Sequence, residues 1–126
     1  MSDDIRESVA NKLAKGEYDC AKEFTMSMFS GKHKLFILWN LKNGEEVHFN
    51  EFGRLIPSAS KKVLSNQLQE LQEDGLINKD FYDEGKVKRT VYRMSKLGYS
   101  LVPILEMMYS WGENRIGDLD LNTKYG

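Results

Sequence analysis

The stretch FNEFGRLIPSASKKVLSNQLQELQEDGLI, residues 49–77, limits the possible folds more than any other part of the chain. Phe49, Phe52, Leu55 and Ile56 recur on one helical face and stop before Pro57, whose ring disfavours helical backbone in the preceding residue. Pro-Ser-Ala-Ser makes the turn, with Ser60 placed to cap a second helical run. In that run Val63, Leu64, Leu68 and Leu71 form an apolar stripe, and Gly75 closes it. LINKDFYDEGKVKRTVYRM then switches to β-branched and aromatic residues, with Asp83-Glu84-Gly85-Lys86 expected at a hairpin tip. The spacing predicts a helix-turn-helix followed by a two-stranded wing.

The flanks are helical. Ile5, Val9 and Leu13 fall at i, i+4, i+8 ahead of Gly16, which predicts a short amphipathic helix. A weaker helical piece surrounds Phe24 and Met28, and the apolar run Leu35, Phe36, Ile37, Leu38, Trp39, Leu41 reads as a central core helix ended by Asn43-Gly44. EEVHF allows only a small strand. Residues 95–117 read as one long helix in which Leu97, Leu101, Ile104, Met108 and Trp111 are spaced 4, 3, 4, 3, with Pro103 as a kink or near the start. Such a seam calls for a partner to cover it. The expected fold is α+β and mainly helical, one domain. An N-terminal helix occupies 1–19, a winged helix-turn-helix core 20–94, a C-terminal dimerisation helix 95–117 and a loose polar tail 118–126. The expected dimer contacts are Ile5, Val9, Leu97, Leu101, Ile104, Leu105, Met108 and Trp111.

The charges of the second helix run against its dipole. Lys61 and Lys62 occupy the first turn, and Glu70, Glu73 and Asp74 the last. An isolated helix prefers acids first and bases last, by about 0.3–1 kcal/mol per charge. A helix that enters a DNA major groove amino end first meets phosphates there, so the order becomes favourable. Lys61, Lys62, Ser65, Asn66 and Gln69 face away from the stripe, and Ser58 and Ser60 lie in the turn. Asn and Gln can bond adenine through two atoms; Ser and Lys can reach base or phosphate. A second basic cluster, Lys86, Lys88, Arg89 and Arg93, covers the hairpin tip and returning strand without an acid, where a wing would lie against backbone or minor groove. With a net charge of −1, these local clusters and no global field must carry any contact with nucleic acid. The alternative is that each cluster is only a solvated surface.

Cys20 is the only cysteine, which excludes an internal disulfide and a cysteine-rich zinc site. His33 and His48 have no metal-ligand spacing and read as structural; no nucleotide-binding or nucleophile fingerprint is present, so neither metal, cofactor nor enzyme activity is expected. No apolar leader or membrane-length run occurs, which points to a cytoplasmic protein, nucleoid-associated when bound to DNA.

These residues resemble the HxlR-type winged-helix transcriptional regulators, a branch close to the MarR group. GKHKLFIL is similar to the start of that family's core helix, with His33 where Trp is usual. The match through 49–77 includes Phe49, Asn50, Glu51, Arg54, Ile56, Pro57, Ser60, Lys62, Leu64, Leu68, Leu71, Asp74, Gly75 and Leu76; VYRMSKLG and LVPILEMMYSWG are similar to the strand after the wing and the dimer helix. The wing departs from the pattern: Val87, Lys88 and Val91 stand where the family has a Pro-Pro pair and a following Glu. The resemblance implies a homodimeric DNA-binding regulator of bacterial or archaeal type, a repressor reading a pseudo-palindromic operator through residues 60–74 and 81–92. Cys20 resembles a cysteine that in some members senses oxidants or electrophiles, which implies an oxidant or small-molecule effector. Lys22 and a helix start favour its thiolate, Asp19 and Glu23 oppose it, and an inert small residue is the competing reading. A winged-helix module that binds protein partners and not DNA is the alternative from a different class.

Overall fold

The computed structural model describes residues 5–85 and 87–119. The chain runs α1 (Glu7–Ala14), α2 (Ala21–Ser27), α3 (Lys34–Leu41), β1 (Val47–His48), α4 (Phe49–Leu55), α5 (Lys61–Glu73), β2 (Ile77–Glu84), β3 (Val87–Met94), α6 (Lys96–Tyr99) and α7 (Val102–Asp118). The three strands form one antiparallel sheet in the order β1-β3-β2. Val47 pairs with Tyr92, and the β2–β3 ladder runs from Ile77–Met94 out to Glu84–Val87. This is the winged helix-turn-helix expected from the sequence: α4 and α5 with their turn, then a hairpin.

Local chemistry explains the borders. Gly16, Gly44 and Gly75 adopt φ of +66°, +81° and +75°, left-handed conformations that end helices at little cost for a residue without Cβ. The hairpin turns at Gly85 (φ +70°) between Glu84 and Val87, a tighter tip than the sequence suggested, since Asp83 and Glu84 belong to β2. Lys86 lies outside the described residues.

The core gathers Ile37, Leu38 and Leu41 of α3, Phe52 of α4, Leu64, Leu68 and Leu71 of α5, and Ile77, Tyr92 and Met94 of the sheet. Two elements differ from expectation. The run 95–117 is two helices: Ser95 caps the four-residue α6, and Pro103 falls in the first turn of α7, where its missing N–H costs nothing. Val9 and Leu105, expected at a dimer seam, are each 3% exposed and belong to the core of the single chain. Heptad spacing marks an apolar face without saying which neighbour covers it. Ile5 and Leu101 pack partly against the same core, while Leu97, Ile104, Met108 and Trp111 remain exposed. Trp39 of α3 stacks on Tyr109 with ring centroids 5.0 Å apart, which fixes α7 against the core helix.

Candidate nucleic-acid interface

The second helix of the pair begins cleanly. Ser60 is extended (φ −68°, ψ 158°), and its hydroxyl accepts the Val63 N–H at 3.1 Å. A cap of this kind is worth about 1 kcal/mol and sets the direction of the first turn. From there Leu64, Leu68 and Leu71 point inward, each at most 1% exposed. Val63 does not belong to this stripe. It is 39% exposed, because a 4, 3 spacing from Leu64 places Val63 at the stripe's edge. Leu55 is likewise exposed, since α4 ends there and Ile56 turns inward with φ −125°.

Ser58, Ser60, Lys61, Lys62, Ser65, Asn66 and Gln69 are all exposed, together on the side of the helix-turn-helix that the core leaves free. Gln67, between them in sequence, is withdrawn: its side-chain oxygen accepts the His33 N–H at 2.8 Å and ties α5 to the start of α3. Among the described residues neither Lys61 nor Lys62 has an ion-pair partner.

An open groove of about 750 Å³ runs from α4 past Ser65 to the hairpin, lined by His48, Phe49, Asn50, Glu51, Arg54, Ser65, Lys79, Lys88, Arg89, Thr90 and Tyr92. It brings Lys88 and Arg89 of β3 to the same cleft as the amino half of α5. Sequence reasoning missed Arg54 and Lys79 here. Lys79 was masked by Asp80 beside it; strand alternation, which sends neighbours to opposite faces, could have separated the two. Four cations and one carboxylate thus line this open cleft. The groove continues along Gln69, Gln72 and Glu73.

Arg93 was grouped with the basic wing, and the structure removes it. Its guanidinium lies 2.8 Å from Asp80 and 3.1 Å from Glu46, and it also donates to the Tyr82 hydroxyl at 3.2 Å. Tyr82 in turn donates to Glu46 at 2.8 Å, a bond to a carboxylate that pushes the phenol's pKa up. This cluster, one cation between two carboxylates, braces the base of the wing against the residue before β1.

The acids at the far end of α5 are also not idle. Asp74, its side chain fully shielded, meets the Arg6 guanidinium at 2.9 Å, and Glu70 meets the Lys34 ammonium at 2.6 Å. Lys34 is wholly buried, its stem lying against Gly31, where a Cβ would come within 3.0 Å of it. The cations that a helix carboxyl end prefers are thus supplied by α3 and by the residue before α1. Glu70 and Asp74 are thus partners of cations held inside the fold.

Cys20 is exposed at the start of α2 in extended backbone, and its side chain makes no capping bond. His33 is buried in the protein, and His48 with Glu51 closes the start of α4, the Glu51 carboxylate accepting the His48 N–H at 3.0 Å. No group of three or more His, Cys, Asp or Glu among the described residues could hold a metal ion. No described helix is long and apolar enough to cross a membrane.

A helix-turn-helix with a wing and a cationic cleft defines a DNA-binding regulator of the winged-helix class. Residues 28–120 match the family of HxlR-like helix-turn-helix proteins, and the chain belongs to it. The uncharacterized helix-turn-helix-type transcriptional regulator YtcD of Bacillus subtilis (strain 168) is 38% identical over 114 residues, 90% of this chain and 85% of that one. A regulator of Methanothermobacter thermautotrophicus is 36% identical over 97 residues, 77% of this chain and 72% of that one. Among solved structures, the redox regulator HypR in its reduced form superposes with a TM-score of 0.74 at 32% identity, covering 80% of this chain and 98% of that one. Its oxidised form gives 0.69 at 34% identity, over 75% and 96%. The protein is therefore a transcriptional regulator of the helix-turn-helix type, and not an enzyme.

Proposed function

We propose that the protein is a homodimeric, cytoplasmic repressor that reads a pseudo-palindromic operator. Each protomer inserts the amino half of α5 into a major groove, with Asn66 and Gln69 reading bases and Ser58, Ser60, Lys61, Lys62 and Ser65 holding the phosphates or base edges. Lys88 and Arg89 lie along the adjacent backbone. The observation that carries this reading is the unpartnered Lys61 and Lys62 at the amino end of a helix whose polar side opens onto the wing's cationic cleft. Two-fold symmetry then requires half-sites about 34–36 Å apart, or a multiple of that.

Dimerisation is supported by the outer side of α7, where Met107 and Trp111 are 73% and 71% exposed and Ile104 and Met108 lie beside them. Leu97 and Leu101 extend the same seam. Side chains of that size left to water mark an interaction surface.

Redox control through Cys20 belongs to the same proposal. HypR, described as a redox regulator, has been solved in both oxidation states, and Cys20 is accessible here. With one cysteine per chain, any disulfide must join it to another molecule.

Selection of bound duplexes from a random pool, at two salt concentrations and with or without diamide, tests these points together. The expected result is an enriched inverted repeat, bound less tightly at high salt and lost on oxidation. No enrichment would sink the regulator's operator reading. Enrichment that diamide leaves unchanged, with Cys20 unmodified by mass spectrometry, would remove the redox element alone.

A further inference from the structure

The amide and side chain of Arg6 converge on one place, the corner where α5 ends and the wing begins. Its backbone N–H donates to Asp74 Oδ1 and its Nε to Asp74 Oδ2, both at 2.9 Å. A terminal guanidinium nitrogen donates to the Ser27 carbonyl at 2.8 Å, and the other lies 3.5 Å from Glu70. Asp74 is the C-terminal cap of α5, and only Gly75 and Leu76 separate it from β2. The corner is gripped from its other side by Ser95, whose hydroxyl donates to the Gly75 carbonyl at 2.6 Å and whose N–H donates to the Leu76 carbonyl at 3.1 Å. One of the two clamps on the helix–wing angle therefore comes from the N-terminal arm, outside the winged-helix core.

We infer that Arg6 is a positioning residue for DNA recognition: by holding Asp74 it fixes the angle between α5 and the wing, so that the segment leading into α1 helps set the reading geometry without touching DNA. Only the second readout below rests on the proposed DNA contacts. Arg6 is suited to the task because a planar guanidinium can serve a carboxylate and a carbonyl at once, which an ammonium cannot do in the same geometry. Without it, a carboxylate shielded from water at the negative end of a helix loses its cation. The last turn must open to hydrate it, and that opening moves Gly75 and Leu76. The lever is long. The helix has 13 residues, about 20 Å at 1.5 Å per residue, so a tilt of about 5° at the corner shifts Lys61 by more than ~1 Å.

The test compares the full chain with Arg6→Ala and Arg6→Lys by amide hydrogen exchange and by DNA binding. The DNA probes are the best duplex recovered from a random pool with the unaltered protein and a scrambled duplex of the same composition. Arg6→Ala is expected to speed exchange at residues 70–79 and leave the α3 amides unchanged. It should also weaken the recovered duplex roughly 2- to 30-fold with little effect on the scrambled one, and Arg6→Lys should fall between. Exchange that rises uniformly along the chain, or equal losses on both duplexes, would reduce Arg6 to a general stabiliser and overturn the inference. If Arg6→Ala does not fold, Arg6→Lys and Asp74→Asn carry the same readouts. If the unaltered protein prefers neither duplex, the operator reading fails, and the exchange pattern alone still decides for or against the clamp.

Discussion

Gly98→Ala sets two magnitudes against each other. Gly98 lies in α6 in ordinary helical backbone, so helix propensity favours alanine by up to about 1 kcal/mol. Sterics oppose it. A Cβ at Gly98 would fall 2.6 Å from Met94 Sδ and closer still to the Leu76 carbonyl oxygen, which already accepts the Ser95 N–H at 3.1 Å. Methionine can swing aside, but a backbone carbonyl at the helix–wing corner cannot. Overpacking costs about 1–3 kcal/mol, and losing the Ser95 bond adds about 1 kcal/mol. The net is a loss of about 2 kcal/mol, a large share of a stability of about 5–15 kcal/mol. Urea denaturation at one fixed protein concentration reads it, the concentration being held because any self-association makes apparent stability concentration-dependent. The midpoint should fall by about 1 M. Gly53→Ala in α4 is the control: nothing lies within 4 Å of its Cβ position, and the same propensity argument gives a gain of about 0.5–1 kcal/mol. If Gly98→Ala matched or exceeded the parent while Gly53→Ala behaved as expected, close packing at Leu76 would not be what holds the corner.

Ser60→Ala should lower stability by about 1 kcal/mol in the same assay, through loss of the cap on Val63. Lys34→Met should be close to neutral, because Glu70, with a side chain 41% exposed, can turn to water, whereas Glu70→Ala leaves the buried ammonium unpaired and should cost about 3–5 kcal/mol; equal effects in denaturation would contradict the pairing. Asn66→Ala and Gln69→Ala should change which duplexes are recovered from a random pool by about 1–3 kcal/mol per base read, and an unchanged consensus would exclude them from base readout. If the proposed dimer forms through the outer side of α7, Trp111→Ala with Met107→Ala should shift the protein toward monomer in sedimentation, and an unaltered mass would exclude that face as the contact.

The helix-turn-helix and wing were readable from sequence because their signals are local. Pro57 and the Ser60 cap mark one border, Gly75 and Gly85 mark others, and the period changes from helical to strand-like within a few residues. What the sequence did not disclose depends on contacts made far along the chain. Arg6 and Asp74 are 68 positions apart, and nothing local distinguishes Arg6 from a solvated cation. Lys34 looks like any surface lysine until α3 is seen to bury its stem against Gly31. Val9 and Leu105 were assigned to a partner because amphipathic spacing reports that a face is covered but not by what. The division between α6 and α7 followed from Pro103, whose position was noted but whose effect depends on where the next helix packs. In the candidate site, charge order singled out Lys61 and Lys62 and facing away from the apolar stripe singled out Ser65, Asn66 and Gln69, while Arg54 and Lys79 required the groove.

Salt dependence of binding tests the orientation of α5 most directly. Affinity for the best duplex recovered from a random pool is measured across a salt series for the unaltered protein and for Lys61→Ala combined with Lys62→Ala. If both lysines meet phosphate, the slope of log affinity against log salt falls in magnitude by about 0.9 for each, near 1.8 per protomer in all, with weaker binding to every sequence. An unchanged slope with unchanged affinity would mean that the amino end of α5 does not face DNA.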